Sequence, residues 1–152
     1  MKMIWIHISE KTTESLNTVW DGLSDIESYP KNITFVKKVE LMGPLEKGTK
    51  WYDTATALWF PFRVEHVIEE WEPKKKITYI VNLQGGGKMR EDITLSREKN
   101  QTRVDITIGL HMGNPLLHLL VGPIFAKRMR VMMETTIARL HKLSKDGLLH
   151  SD

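Results

Sequence analysis

Between residues 33 and 112 the chain repeats one pattern, in which short runs of alternating apolar and polar residues are separated by turn-forming residues. Val64, His66 and Ile68, for example, alternate with Arg63 and Glu65. A two-residue period is typical of β-strands with one buried face. The breaks fall at residues 43–48, 60–61, 73–76, 85–87 and 99–101. This spacing predicts an antiparallel meander, giving a sheet of about six or seven strands with the N-terminal strand.

Beyond residue 114 the period of the apolar residues changes from two to about 3.6, the period of an α-helix. One apolar stripe includes Met129, Met132 and Met133, and charged residues occupy the other side. We predict one continuous helix over residues 125–143 that packs its apolar stripe on the sheet. Gly147 can end this helix.

The residue pattern of the N-terminal segment predicts a strand followed by two short helices. Residues 3–9 alternate with a period of two. Thr13 can cap the first helix, and Asp25 can cap a second short turn that Pro30 closes. The apolar stripe of the first helix consists of Leu16, Val19, Trp20 and Leu23.

The sequence V-W-x-x-L-S-D-I-E-S-Y-P at residues 19–30, followed by the strand-like residues 33–39, resembles the opening of the START-like superfamily, also called SRPBCC. This superfamily contains polyketide cyclases and dehydrases, lipid transport proteins and coenzyme Q-binding-like proteins. The resemblance implies an α+β helix-grip fold, with a curved antiparallel sheet wrapped around a long C-terminal helix and two short helices after the first strand. It also implies a hollow between sheet and helix, which in the superfamily holds lipids, sterols, quinones, polyketides or plant hormones.

Length and composition narrow the possible functions. A chain of 152 residues fits one domain, which we place at 1–152. The absence of cysteine excludes disulfides, thiolate nucleophiles and cysteine-ligated zinc. The longest apolar run, residues 115–126, is shorter than the roughly 20 residues that cross a bilayer. No signal peptide is evident, and we expect a cytoplasmic protein. The net charge of +3 comes without a recognition motif, so no nucleic-acid partner is expected.

Large apolar and sulfur-containing side chains could line the implied hollow, because they adapt to ligands of different shape. Alternatively, the same side chains complete a core without any ligand. The candidates are Trp51, Trp59, Met112, Phe125, Met129, Met132 and Met133.

Four polar residues are candidates for the interior. His66 is the first, because it lies on an otherwise apolar strand face, where an imidazole can act as acid, base or hydrogen-bond donor. It could equally be a core histidine with a neighbouring partner. Tyr79 could offer its hydroxyl from an inward face. Asp53 and Glu91 could orient His66, although the solvated or structural interpretation is favoured for both carboxylates.

Several other chemistries find no support in the sequence. The spacing of His111 and His118 fits neither a strand nor one helical face, so no metal site is expected. The Gly-rich residues 85–88 lack the earlier glycine of a phosphate-binding loop. No serine lies in a G-x-S-x-G motif, which argues against a hydrolase. We expect no cofactor.

Three functions remain. The leading hypothesis is binding of a small hydrophobic ligand between the sheet and the C-terminal helix. The first alternative is a polyketide cyclase or dehydratase that uses His66 as acid or base. The second is an interaction protein of the ribosome- or quinone-associated type. Catalysis would require two or more titratable groups that converge in the cavity.

Overall fold

The computed structural model describes residues 2–33, 35–56 and 61–145. Within these residues seven strands form one antiparallel sheet in the order β1-β7-β6-β5-β4-β3-β2, and the predicted meander is confirmed. The alternation of apolar and polar residues explains why one face of each strand is buried. The strands are β1 (Ile4–Thr12), β2 (Val36–Leu41), β3 (Lys50–Ala55), β4 (Phe62–Glu72), β5 (Lys76–Asn82), β6 (Lys88–Glu98) and β7 (Gln101–His111).

The strands pair in the order expected of a meander, with one exception. Strands β2 to β7 pair with their sequence neighbours, as consecutive hairpins do. β1 is the exception, because it pairs with β7 in a register that sets Ile4 opposite Leu110 and Thr12 opposite Thr102. The two edges of the sheet are therefore β1 and β2.

Two short helices follow β1, as predicted, but their ends differ from the prediction. The N-cap of α1 is Ser15, whose hydroxyl accepts a hydrogen bond from the Thr18 amide at 3.1 Å, and not Thr13. β1 runs as far as Thr12, so Thr13 comes too early to cap the helix. Asp25 makes no side-chain cap, and Pro30 lies in the first turn of α2 instead of closing it. The helical segments are α1 (Leu16–Ser24), a 3-10 turn (Ile26–Ser28) and α2 (Tyr29–Asn32).

The C-terminal helical region contains two helices, α3 (Pro115–Leu120) and α4 (Gly122–Lys145). The predicted continuous helix over residues 125–143 is confirmed and begins three residues earlier. Gly122 marks the junction, since a Cβ there would lie 2.7 Å from Ile4 Cδ1. Gly147, the predicted end, lies outside the described residues.

The core lies between the inner face of the sheet and one side of α4. Among residues 122–138 of this helix, whose burial the structure describes, the buried large or methyl-bearing apolar side chains are Phe125, Ala126 and Met129. Of the strands, α4 contacts β1 most extensively. A single helix cannot cover the whole curved sheet, and the space over β3 to β6 is where the cavity described below lies.

Candidate functional site

A cavity lies between α4 and the inner face of β3 to β6. The space open to the centre of a water-sized sphere is about 100 Å³, and the wider hollow, including its part open to solvent, measures about 930 Å³. Ligand pockets typically measure about 300 to 1,000 Å³, so by the first of these two volumes the cavity is small for a ligand pocket. Most of the lining is apolar, and examples are Ile33 directly after α2, Val81 on β5 and Met133 on α4.

Four neighbouring strands bring a polar cluster into this apolar wall. β3 contributes Trp51 and Asp53, whose side chains share a face because they are two residues apart. β4 contributes His66, which pairs directly with Trp51 across the sheet. β5 and β6 contribute Tyr79 and Glu91, which are also direct partners. All five residues line the cavity, and we call them the polar cluster.

The aromatic members of the cluster pack on one another. The Trp51 and His66 rings are stacked, with centroids 4.5 Å apart and an angle of 10° between the planes. Tyr79 meets Trp51 edge to face at 4.6 Å and 83°. Trp51 is 1% exposed and Tyr79 is 3% exposed. The position of the imidazole is thus fixed by packing on the indole.

The charged state of the cluster is determined mainly by burial. His66 Nε2 lies 3.6 Å from Asp53 Oδ2. Burial lowers the pKa of His66 to about 3 and raises the pKa of Asp53 to about 7. Burial also raises the pKa of Glu91 to about 7, with smaller contributions from the negative charges of Asp53 and Asp92. Between about pH 3 and about pH 7 the pair is therefore a neutral imidazole beside a carboxylic acid, and not an ion pair.

Several polar atoms of the cluster are buried without a hydrogen-bond partner. Among the described residues Trp51 Nε1, Asp53 Oδ1 and His66 Nδ1 have no hydrogen-bond partner, and Tyr79 Oη has none of good geometry, although the Tyr29 side chain lies close enough to add to the effect of burial in raising the pKa of Tyr79. Buried polar side-chain atoms in folded proteins usually have a partner, so each exception needs an explanation. All four belong to residues that line the cavity.

Tyr29, which was not among the residues predicted to line the cavity, also lines it. Its hydroxyl donates a hydrogen bond to the backbone carbonyl of Leu23. Burial, and secondarily the charge of Glu91, raises its pKa. Tyr29 lies in the short helical turn after α1, where no periodicity indicates which side chains face inward. The available signal was its place in the D-I-E-S-Y-P sequence that carries the family resemblance.

The structure brings most of the proposed site residues together, but not all of them. The residues that line the cavity are Trp51, Asp53, His66, Tyr79, Glu91, Phe125, Met129 and Met133. Met112 does not line it, because β7 ends at His111 and Met112 packs beside Gly122 at the start of α4. Met132 is only partly buried and also lies outside the lining. Trp59 lies outside the described residues.

The solvated interpretation of the two carboxylates is wrong. Asp53 is 7% exposed and Glu91 is 6% exposed. Strand alternation alone places both on the inner face, whereas the general preference of carboxylates for water argued the other way. No group of three or more metal-ligating side chains converges in the part of the chain that the structure describes.

A family model described as "Polyketide cyclase / dehydrase and lipid transport" matches residues 14–145. The chain belongs to this family. The match includes the α1 to α2 segment on which the resemblance was based, and it extends through α4. Members of the polyketide cyclase/dehydrase and lipid transport family typically bind hydrophobic ligands. Among curated protein sequences none matches the chain significantly.

Solved structures similar to this member of the family share its fold at low sequence identity. A protein from Thermus thermophilus has a TM-score of 0.73 at 16% identity, covering 91% of this chain and 95% of that one. A START superfamily protein from Mycobacterium smegmatis has a TM-score of 0.73 at 13% identity, covering 93% and 97%. A norcoclaurine synthase point mutant from Thalictrum flavum has a TM-score of 0.71 at 16% identity, covering 95% and 99%. These likenesses confirm the helix-grip fold.

Proposed function

We propose that the chain binds a small, mainly apolar ligand that carries one uncharged hydrogen-bonding group. The observation that carries this proposal is the set of buried, unpartnered polar atoms in an otherwise apolar cavity. A bound group that accepts or donates hydrogen bonds would satisfy part of this set, and the apolar walls would supply most of the binding free energy.

The chemistry of the polar cluster favours a carbonyl, hydroxyl or quinone group on the ligand. Trp51 Nε1 and Tyr79 Oη carry hydrogens to donate, and His66 and Asp53 can accept or donate according to their protonation. No lysine or arginine occurs among the described residues of the lining. An anionic ligand would therefore lie near Asp53 and Glu91 without a compensating cation, which is unfavourable in a desolvated site.

Two probes with the same rings and different charge test this proposal. At about pH 8, 2-naphthol is neutral and 2-naphthoate is anionic, and contact of either with Trp51 should quench tryptophan fluorescence. We expect 2-naphthol to bind at least about ten-fold more tightly than 2-naphthoate. Equal affinities, or no binding and no change in Tm with either probe, would contradict the proposal.

Matched variants locate the binding within the cavity. Ala55 lines the cavity, so Ala55→Phe should fill it and weaken binding of 2-naphthol. Ala138 is exposed on α4, and Ala138→Phe is the control that should leave affinity unchanged. Tyr79→Phe removes only the hydroxyl and should cost about 1 kcal/mol of binding, the usual worth of one hydrogen bond.

The second candidate is a cyclase or dehydratase, and the structure offers a specific observation in its favour. His66 and Asp53 lie 3.6 Å apart, and both Asp53 and Glu91 have a pKa of about 7. General acid-base catalysis works best when the pKa of the group lies near the working pH. The norcoclaurine synthase of similar fold is named as a synthase and was solved with a transition state analogue.

The variant His66→Ala separates the two candidates. An enzyme should lose about 100-fold to 10,000-fold in turnover while substrate affinity changes little. A carrier has no turnover to lose, and its affinity for 2-naphthol should change by at most about 1 kcal/mol. If neither quantity changes, His66 is not part of the site.

A further inference from the structure

Helix α3 and the start of α4 present a run of exposed apolar side chains. Four leucines of α3 are between 46% and 72% exposed, and Ile124 of α4 is 53% exposed. We call these residues the leucine face: Leu116, Leu117, Leu119, Leu120 and Ile124. Large exposed apolar patches are uncommon on monomeric soluble proteins and mark interaction sites.

The leucine face is held in place by polar contacts on the other side of α3. His118 Nδ1 accepts a hydrogen bond from the Met112 amide at 3.4 Å, and its Nε2 donates to the Lys2 carbonyl at 2.7 Å. The Asn114 side chain caps α3 by accepting from the Leu116 and Leu117 amides. Because His118 points towards the body of the protein, the leucines on either side of it point away.

Positive charge continues the same outward surface along α4. Ile124, Lys127, Arg128 and Val131 are all exposed and recur with the i, i+3, i+4, i+7 spacing of one helical face. Arg130 is also exposed, and its ion pair with Glu134, at 3.9 Å, is long and half exposed. Residues 106–133 contain no aspartate or glutamate. An apolar patch is thus followed by three cations and no intervening carboxylate.

We propose that this surface docks the protein on a membrane containing anionic phospholipids. A helical surface with leucines beside lysine and arginine binds the bilayer interface by burying its apolar side chains among the headgroups, while its cations attract anionic lipids. The described helices include none that is long and apolar enough to span a bilayer, so the contact would be peripheral. This proposal is independent of what the cavity binds.

A second copy of the chain is a less suitable occupant of the leucine face. In a two-fold dimer the same surface meets itself. The cations Lys127, Arg128 and Arg130 of the two copies would then approach one another, and like charges repel. An anionic bilayer complements both the apolar and the cationic part of the surface.

Sedimentation with lipid vesicles tests the proposal on the intact chain. The vesicles contain phosphatidylcholine alone or roughly three parts phosphatidylcholine to one part phosphatidylglycerol. We expect binding to the mixed vesicles to be at least about ten-fold stronger, and to weaken as sodium chloride is raised. Absence of binding to the mixed vesicles, with folded protein, would overturn the proposal.

Two variants, each with a control, measure separately how much the leucines and the cations contribute to vesicle binding. Leu116→Glu/Leu119→Glu should reduce binding by at least about ten-fold, because it introduces charge into the inserted surface. Met42→Glu is the control, since Met42 is 65% exposed next to the edge strand β2. Lys127→Gln/Arg130→Gln should remove most of the preference for anionic vesicles. Its control is Lys74→Gln/Lys99→Gln, which lowers the net charge by the same amount at two hairpin turns outside the leucine face.

The remaining results decide whether a membrane or a second copy of the chain occupies the leucine face. Vesicle binding that survives the leucine double variant would overturn the proposal. Analytical ultracentrifugation tests the dimer. If the parent is a dimer that does not bind vesicles, and Leu116→Glu/Leu119→Glu is a monomer, the leucine face is the contact between two copies. Circular dichroism melts of every variant establish that loss of binding is not loss of folding.

Discussion

Replacing Glu91 by glutamine should make the protein more resistant to alkaline pH. Glu91 is 6% exposed, and burial raises its pKa from 4.5 to about 7. The folded protein therefore holds a proton on this group that the unfolded chain releases at lower pH. Stability from this group is fully present below pH 4.5 and is lost as the pH rises towards 7. Glutamine resembles the protonated carboxyl group and cannot ionise.

The size of the effect follows from the two pKa values. From 4.5 to about 7, at about 1.4 kcal/mol for each unit, the free energy of unfolding falls by about 3 kcal/mol. His66 acts in the opposite direction: its neutral form contributes stability above pH 6.5, which is lost as the pH falls towards 3. This contribution is the same in parent and variant and cancels in their difference.

Urea unfolding at about pH 4.5 and about pH 8, followed by circular dichroism, measures the effect. Between these pH values the parent should lose about 3 kcal/mol more than Glu91→Gln. Glu65→Gln is the control, because hydrogen bonds from Asn82, Tyr52 and Lys50 lower the pKa of Glu65, and its loss should bring no gain at high pH. Parallel pH profiles of Glu91→Gln and the parent would refute the conclusion that the folded protein keeps Glu91 protonated.

Three further predictions concern stability, each measured by urea unfolding. Ser15→Ala should cost about 1 kcal/mol, because it removes the cap of α1; no change would contradict the assignment of this cap. Gly113→Ala should cost about 1 to 3 kcal/mol, since φ is +79° and the new Cβ would lie 2.6 Å from the Gly86 backbone. Met129 is 5% exposed and Met132 is only partly buried, so Met129→Asp should be several kcal/mol more destabilising than Met132→Asp. Equal effects would show that the apolar stripe of α4 is not centred on Met129.

Strand alternation was sufficient to predict that His66 and Tyr79 point inward, and it also places Glu91 on the inner face, although the solvated or structural interpretation was favoured for that carboxylate. His66, Tyr79 and Glu91 each lie between apolar neighbours two residues away, and a strand places such residues on one face. The same rule failed for Met112, because it continues the pattern of β7 one residue beyond the end of the strand. A periodic pattern does not show where hydrogen bonding to the neighbouring strand stops.

Other features depend on contacts between distant parts of the chain and could not be read from local sequence. The stacking of Trp51 on His66 requires the register of β3 on β4 that places these two residues opposite each other. The unpartnered atoms of Asp53 and Tyr79 depend on what the opposite wall leaves empty. Tyr29 enters the cavity from a short helical turn whose direction is set by packing against its neighbours.

The pairing of β1 with β7 has a consequence for the order in which the protein can fold during synthesis. Ile4 pairs with Leu110, so the first strand emerges from the ribosome about one hundred residues before its partner. The hairpins of β2 to β6 can form meanwhile, with the polar cluster open to water until α4 is made. Contacts so distant in sequence slow folding. During this interval β1 is an unpaired strand with isoleucine at every second position. We therefore expect β1 to be the segment of the nascent chain that is most prone to aggregation.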